Sequence, residues 1–267
     1  MKIGFIGGGA MGEALIKGIL NDGSVKCEDI FVSEHTQERC NYLIEKYGVS
    51  AVLGPDSFIN KIDVLFLAVK PQVAASAIEA FNTKVKKELI IVSIIAGLSI
   101  AKLESSFPVQ PVVRVMPNTP LMVGEGMAAI ALGSKVTAEE GEMIKNIFQS
   151  CGRAIMVKEN IIDAVTGLSG SGPAYAFLVI DALADGGVAA GLSRKDAITL
   201  AAQTMLGSAK MVLETEKHPD VLRDQVTSPA GTTIAGLRVL EQNAVRGAFI
   251  DAVMAAAEKS AVMGNKK

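Results

Sequence analysis

The chain is poor in the residues that many active sites depend on. It has only two histidines, His35 and His218, and three cysteines, Cys27, Cys40 and Cys151. The cysteines are odd in number and scattered, with neither disulfide nor metal spacing, so they are expected to be free thiols in a reducing cytoplasm. No cluster of His, Cys and acid looks like a metal site, which argues against metal chemistry. No apolar run approaches the roughly 18 residues that read as a membrane span. The N-terminus, a strand with one lysine, lacks the layout of a signal peptide. Charge is balanced too: 26 Lys and Arg against 28 Asp and Glu leave a net charge of −2. Gripping a phosphate backbone takes clustered cations, so neither nucleic acid nor a membrane is an expected partner.

What the chain does have is apolar content, 49% of 267 residues, enough to pack one large domain or two smaller ones. The stretch that organises it comes first. Ile3–Ile6 is a short apolar run bounded by glycines and reads as a buried parallel strand. Gly7, Gly9 and Gly12 then fit G-x-G-x-x-G, and from Glu13 onward Leu15, Ile16, Ile19 and Leu20 fall on one helical face. For a dinucleotide, Gly7 permits the tight turn, Gly9 lets the backbone approach a pyrophosphate, and Gly12 lets the helix pack close to the strand. The helix N-terminus offers free N–H groups and the positive end of its dipole. Glu34 closes the next strand, where the fingerprint asks for an acid.

The first half alternates strands and helices. Strands are expected at 30–33, 49–53, 64–69, 89–95, 112–116, 127–132 and 154–157. Helices are expected at 37–47, stopped by Gly48, briefly from Pro55, at 72–81, from the Ser99 cap to 106, and from Thr137, where Glu140 completes a capping box. Such alternation implies an α/β fold, a doubly wound, mostly parallel sheet. After Val157 the pattern becomes helical: 174–190, the Ser193 cap to 214, 232–242 and 245–263. The expected domains are therefore 1–157, dinucleotide-binding, and 158–267, all-helical. The tail at 265–267 is expected to fray.

Several stretches have two readings from their residues alone. Ala68-Val69-Lys70-Pro71 ends a central strand, where α/β sheets bind ligands, or is a plain strand-to-helix turn with a solvated lysine. Ile95-Ala96-Gly97 and Met116-Pro117-Asn118-Thr119-Pro120 follow strands in the same way. The run Asp163 to Tyr175 holds Gly167, Gly170 and Gly172 among small hydroxyl residues, which permits close backbone approach or a tight helix–helix turn. Ser228-Pro229-Ala230-Gly231-Thr232-Thr233 precedes a helix; it grips a carboxylate with backbone N–H groups or simply caps that helix.

Taken together and in order, Gly7 to Gly12, Leu67 to Pro71, Asn118-Thr119-Pro120, Asp163 to Tyr175 and Ser228 to Thr233 resemble the Δ1-pyrroline-5-carboxylate reductases. The resemblance covers nearly the whole chain. It implies a Rossmann domain, a helical dimerisation domain giving a homodimer or higher homo-oligomer, and reduction of the cyclic imine to L-proline by NADPH or NADH. It also implies cofactor contacts at Ile6, Gly7, Gly8, Gly9, Ala10, Met11, Gly12, Ala68, Val69, Lys70, Pro71 and Ala96, with Ser33 and Glu34 beside the adenosine ribose. Substrate contacts are implied at Glu159, Ala230, Gly231, Thr232 and Thr233, with Thr233 as the catalytic group at the ring nitrogen. The chain departs from the family at Gly54-Pro55-Asp56-Ser57, where members often carry an asparagine, and at Glu34, which repels a 2′-phosphate that Ser33 and Thr36 would welcome.

A pyrroline imine is basic enough to be protonated near neutral pH, so its carbon is already electrophilic and no general base is required. That suits a chain with no histidine in its motifs, leaving positioning and electrostatics as the protein's share. Two rivals remain at this stage. One is another imine or hydroxyacid reductase on the same plan, the other a nucleotide-sensing protein without turnover.

Overall fold

The structure, a computed structural model, describes residues 1–264; the tail expectation at 265–267 lies outside them. Eight strands form one sheet: β1 (Ile3–Ile6), β2 (Ile30–Glu34), β3 (Ser50–Leu53), β4 (Val64–Leu67), β5 (Ile90–Ser93), β6 (Val112–Met116), β7 (Gly126–Leu132) and β8 (Gly152–Met156). Their order is β3-β2-β1-β4-β5-β6-β7-β8. Every neighbouring pair is parallel except β6 and β7. The exception has a local cause. Residues 117–125 make only a 3-10 turn, Thr119–Val123, closed by Gly124 at φ 82°. That connection is too short for the helical crossover a parallel return requires.

The sheet is buried on both faces, which is why β4 is apolar at every position. Val64 and Phe66 face one core with Phe5, Leu15, Ile16 and Phe148, while Leu65 and Leu67 face the other with Phe81 and Phe107. Phe5 stacks on Phe66 across neighbouring strands, ring centroids 4.9 Å apart.

The helices of this part are α1 (Ala10–Asp22), α2 (Gln37–Tyr47), α3 (Ala74–Glu79), α4 (Ile100–Ser106) and α5 (Ala138–Gln149). Their ends follow local chemistry. The Thr36 hydroxyl accepts from the Arg39 N–H and opens α2; Gly48, at φ 68°, closes it. Thr137 and Glu140 form the expected capping box of α5. Two expectations are revised. Pro55 opens only a turn, with Phe58 and Ile59 N–H groups on its carbonyl. The helix expected at 72–81 shortens to α3 because residues 71–73 are taken up by a 3-10 turn.

The rest is helical: α6 (Ile162–Val165), a π-helical turn at Thr166–Gly170, α7 (Gly172–Ala189), α8 (Arg194–Thr215), α9 (Pro219–Gln225), α10 (Thr232–Gln242) and α11 (Val245–Gly264). α9 was not anticipated, although His218 as N-cap, Pro219 in the first turn and Asp220 after it are legible starting signals. Two compact units emerge, Met1–Gly170 with residues 255–264, and Ser171–Met254. In the second unit Ala184, Ala197 and Ala201 form a small core between α7 and α8, while Phe177 and Leu178 stay 64% and 68% exposed.

Candidate active site

In the first unit the strand order reverses at β1, between β2 and β4, and the crevice of such a sheet opens beyond the carboxyl ends there. Two sequence-predicted stretches meet at that point. The Ala68 N–H donates to the Ile6 carbonyl at 2.9 Å. A Cβ on Gly7, whose φ is 95°, would lie 2.8 Å from the Ala68 carbonyl oxygen, and one on Gly12 only 2.5 Å from the Gly7 carbonyl oxygen. Gly9 is different: nothing lies within 4 Å of where its Cβ would be. It is the N-cap of α1, which has no side-chain cap. The tight glycines serve the protein's own turn, and the open one leaves room for a ligand at an uncapped helix start. The residues present thus fit a dinucleotide pyrophosphate.

Glu34, at the end of β2, sits against the same turn. Its Oε1 accepts from the Gly8 N–H at 2.5 Å and its Oε2 from the His35 N–H at 3.1 Å. Arg39 holds the other side of that glycine, donating to the Gly8 carbonyl from Nε at 2.9 Å and from Nη2 at 2.6 Å. Arg39 also pairs with Glu13, which accepts in addition from Lys46, Tyr42 and Tyr47. Burial pushes the Glu13 carboxyl up, but the hydrogen bonds from Tyr47, Arg39, Lys46 and Tyr42 outweigh it and bring it down to about 2. This network was not anticipated, since its members come from α1 and α2 and share no local motif. Ser33 is buried, with its carbonyl accepting from Gly7 N–H.

Further along the edge, Ala10 and Lys70 are exposed, and Met11, Val69 and Ala96 are half-buried. Ala96 sits in the turn after β5, where Gly97 has φ 77°. Pro71 opens the 3-10 turn ahead of α3. After β6, the Asn118 carboxamide accepts from Met127 N–H at 2.8 Å and donates to the Ser169 carbonyl at 3.1 Å. It thereby ties the glycine-rich π-helical turn to the sheet edge. Glu159 follows β8 in a 3-10 turn; its Oε1 accepts from Ile100 N–H at 2.7 Å and from Arg114 Nη1 at 3.0 Å. Asp163 accepts from the Ser260 hydroxyl at 2.6 Å.

In the second unit, Ser228–Gly231 forms a turn with the Gly231 N–H on the Ser228 carbonyl, and Ala230 takes a left-handed conformation at φ 56°. Gly231 is the N-cap of α10 and no side chain caps that helix. The capping reading of the Ser and Thr residues therefore gives way, leaving backbone N–H groups of Thr232 and Thr233 at a helix start. Ala230 and Gly231 line a cavity of about 630 Å³ together with Arg223, Asp224 and Arg238, whereas Thr232, exposed, and Thr233, half-buried, do not line it. Among the described residues, no group of three His, Cys, Asp or Glu is placed to hold a metal ion, and no helix is long and apolar enough to cross a membrane.

Comparison with known proteins fits these features. Residues 159–263 match the family model for pyrroline-5-carboxylate reductase dimerisation, and residues 2–97 match the model described as NADP oxidoreductase, coenzyme F420-dependent. The pyrroline-5-carboxylate reductase of Arabidopsis thaliana is 44% identical over 259 residues, covering 97% of this chain and 94% of its own. The chain belongs to the pyrroline-5-carboxylate reductase family. The Methanosarcina acetivorans member of that family is 45% identical, covering 99% of this chain and 98% of its own. Among solved structures, the Coxiella burnetii reductase is 32% identical with a TM-score of 0.92, covering 99% of each chain. The Plasmodium falciparum reductase, solved with NADP bound, is 35% identical with a TM-score of 0.88, covering 99% of this chain and 98% of its own. Prephenate dehydrogenase from Aquifex aeolicus, 12% identical, shares the fold alone.

Proposed function

We propose that this protein reduces Δ1-pyrroline-5-carboxylate to L-proline, the last step of proline biosynthesis, using a reduced nicotinamide dinucleotide. The observation that carries the reading is the presence of two uncapped helix starts, at Gly9 in one unit and at Gly231 in the other, in a chain that matches a reductase over 97% of its length. A sensor of nucleotides has no use for the second.

When bound, the reduced nicotinamide supplies the hydride that reduces the imine carbon. The chain's own residues position the reactants. The Gly7–Gly12 turn and the start of α1 hold the pyrophosphate, with Ile6, Ala68, Val69, Lys70, Pro71 and Ala96 along the same edge. Ala230, Gly231, Thr232 and Thr233 hold the substrate, the first N–H groups of α10 gripping its carboxylate. The Thr233 hydroxyl hydrogen-bonds the ring nitrogen and keeps the iminium aligned. Glu159, the remaining expected substrate contact, holds Arg114 and the start of α4. A hydroxyacid dehydrogenase would require an acid–base side chain in its substrate motif, and this turn offers only hydroxyls and backbone.

The protein works as a homodimer or higher homo-oligomer, since Phe177, Leu178, Leu183 and Ile250, all at least half exposed, are too apolar to face water. Its three cysteines are free thiols, in keeping with a cytoplasmic enzyme. The test is a turnover assay with pyrroline-5-carboxylate and each reduced dinucleotide, alongside light scattering. Oxidation of the dinucleotide only when the imine is present is expected, from a species of at least dimer mass. Tight dinucleotide binding without turnover would favour a sensor instead.

A further inference from the structure

We propose that Glu34 and Glu13 make this reductase select NADH over NADPH, Glu34 by filling the corner that reads an adenosine ribose and Glu13 by neutralising Arg39. The inference rests on the dinucleotide reading of the β1–α1 turn. In such folds an acid at the end of the second strand accepts from the ribose 2′-hydroxyl, whereas a nearby Arg accommodates a 2′-phosphate. Both residue types are present here, and the structure says how each is engaged.

The Glu34 carboxylate is fixed against the turn by two backbone N–H groups, those of Gly8 and His35. A 2′-phosphate would bring up to about two further negative charges to the same corner. The groups suited to offset that charge are committed elsewhere. Arg39 spends Nε and Nη2 on the Gly8 carbonyl and pairs with Glu13. Lys46 pairs with the same Glu13 at 2.9 Å. Lys17, lining the cavity beside them, reaches the Met122 carbonyl at 3.5 Å. The Thr36 hydroxyl caps α2, and Ser33 is only 8% exposed. The His35 side chain on this turn is exposed. The Plasmodium falciparum relative was solved with NADP, so the preference belongs to this chain's corner and not to the family as a whole.

The test is calorimetric titration of the full-length protein with NAD+ and NADP+. In parallel, 5′-AMP and adenosine 2′,5′-bisphosphate serve as probes that isolate the ribose difference. NAD+ is expected to bind at least tenfold more tightly than NADP+. Glu34→Gln should cut that ratio about tenfold. Glu13→Gln, which releases Arg39, should tighten NADP+ and leave NAD+ unchanged, and adding Arg39→Ala should cancel the gain. His35→Gln should leave the ratio as it was. Equal or tighter binding of NADP+ by the unaltered protein overturns the proposal, even if the variants do not fold. A ratio unmoved by Glu34→Gln overturns it too. Binding of neither dinucleotide overturns it together with the reading of the turn. NAD+ preference in a protein that leaves pyrroline-5-carboxylate unreduced supports it and removes only the substrate assignment.

Discussion

The side-chain amide of Asn118 donates to the Ser169 carbonyl at 3.1 Å, while its oxygen accepts from the Met127 N–H at 2.8 Å. One carboxamide thus joins the loop after β6, the start of β7 and the π-helical turn of Thr166–Gly170. π-helical turns recur at functional sites because they displace one turn of backbone from the regular ladder.

Asn118→Ala should therefore act on turnover through the Thr166–Gly170 turn. With two half-buried bonds lost, kcat is expected to fall about tenfold or more, and unfolding free energy by about 1–3 kcal/mol. The dinucleotide Kd should stay within about threefold. Stopped kinetics and melting curves on the same preparation check this; a stability loss with unchanged kcat would make Asn118 purely structural.

The glycine turn separates ligand space from packing space. Gly12→Ala places a methyl 2.5 Å from the Gly7 carbonyl oxygen and should lower both the melting temperature and dinucleotide affinity. Gly9→Ala meets nothing within 4 Å, at φ −65°, so it should melt no lower than the parent while losing at least tenfold in dinucleotide affinity. A Gly9→Ala protein that binds dinucleotide normally would remove the pyrophosphate from this turn.

Thr233 sits at the second position of α10, half-buried beside the uncapped N-terminus. Thr233→Ala should reduce kcat/KM for pyrroline-5-carboxylate by about 1–3 kcal/mol, as for one unmade hydrogen bond, and leave dinucleotide affinity unchanged. Thr233→Ser should recover most of the loss. Full activity in the alanine variant would take the hydroxyl out of the reaction.

Glu13 gives the fold a pH signature. Its carboxyl is lowered from 4.5 to about 2, so the native state favours the ionised form. That contribution is fully present above about pH 4.5 and is lost as pH falls toward 2. Glu13→Gln should be less stable than the parent near neutral pH, by on the order of 1–3 kcal/mol, and the gap should narrow as pH falls below about 4.5 and close only once it has passed below about 2. Denaturant melts across that pH range measure it; a gap independent of pH would mean that Glu13 works through packing alone.

Much of this architecture is legible in the amino-acid sequence itself. The bounds of α2 follow from a threonine cap and a stopping glycine, which are local signals. β1 and β4 follow from short apolar runs because a strand covered on both faces must be apolar at every position. The G-x-G-x-x-G turn carries its own geometry, and Gly7 and Gly12 are where the backbone indeed crowds itself. Tertiary structure alone decided the reversal of β7, the pairing of Glu13 with Arg39, the Asn118–Ser169 tie and the hold of Glu159 on Arg114. It also decided that Gly231, with no side-chain help, opens α10. The physical reason is common to all of these. Periodicity, caps and turn residues act within a few positions of the chain, so the sequence states them directly. An ion pair or a carboxamide bridge between distant segments exists only once packing has brought their backbones together, and which partner a side chain takes is settled by the packed core.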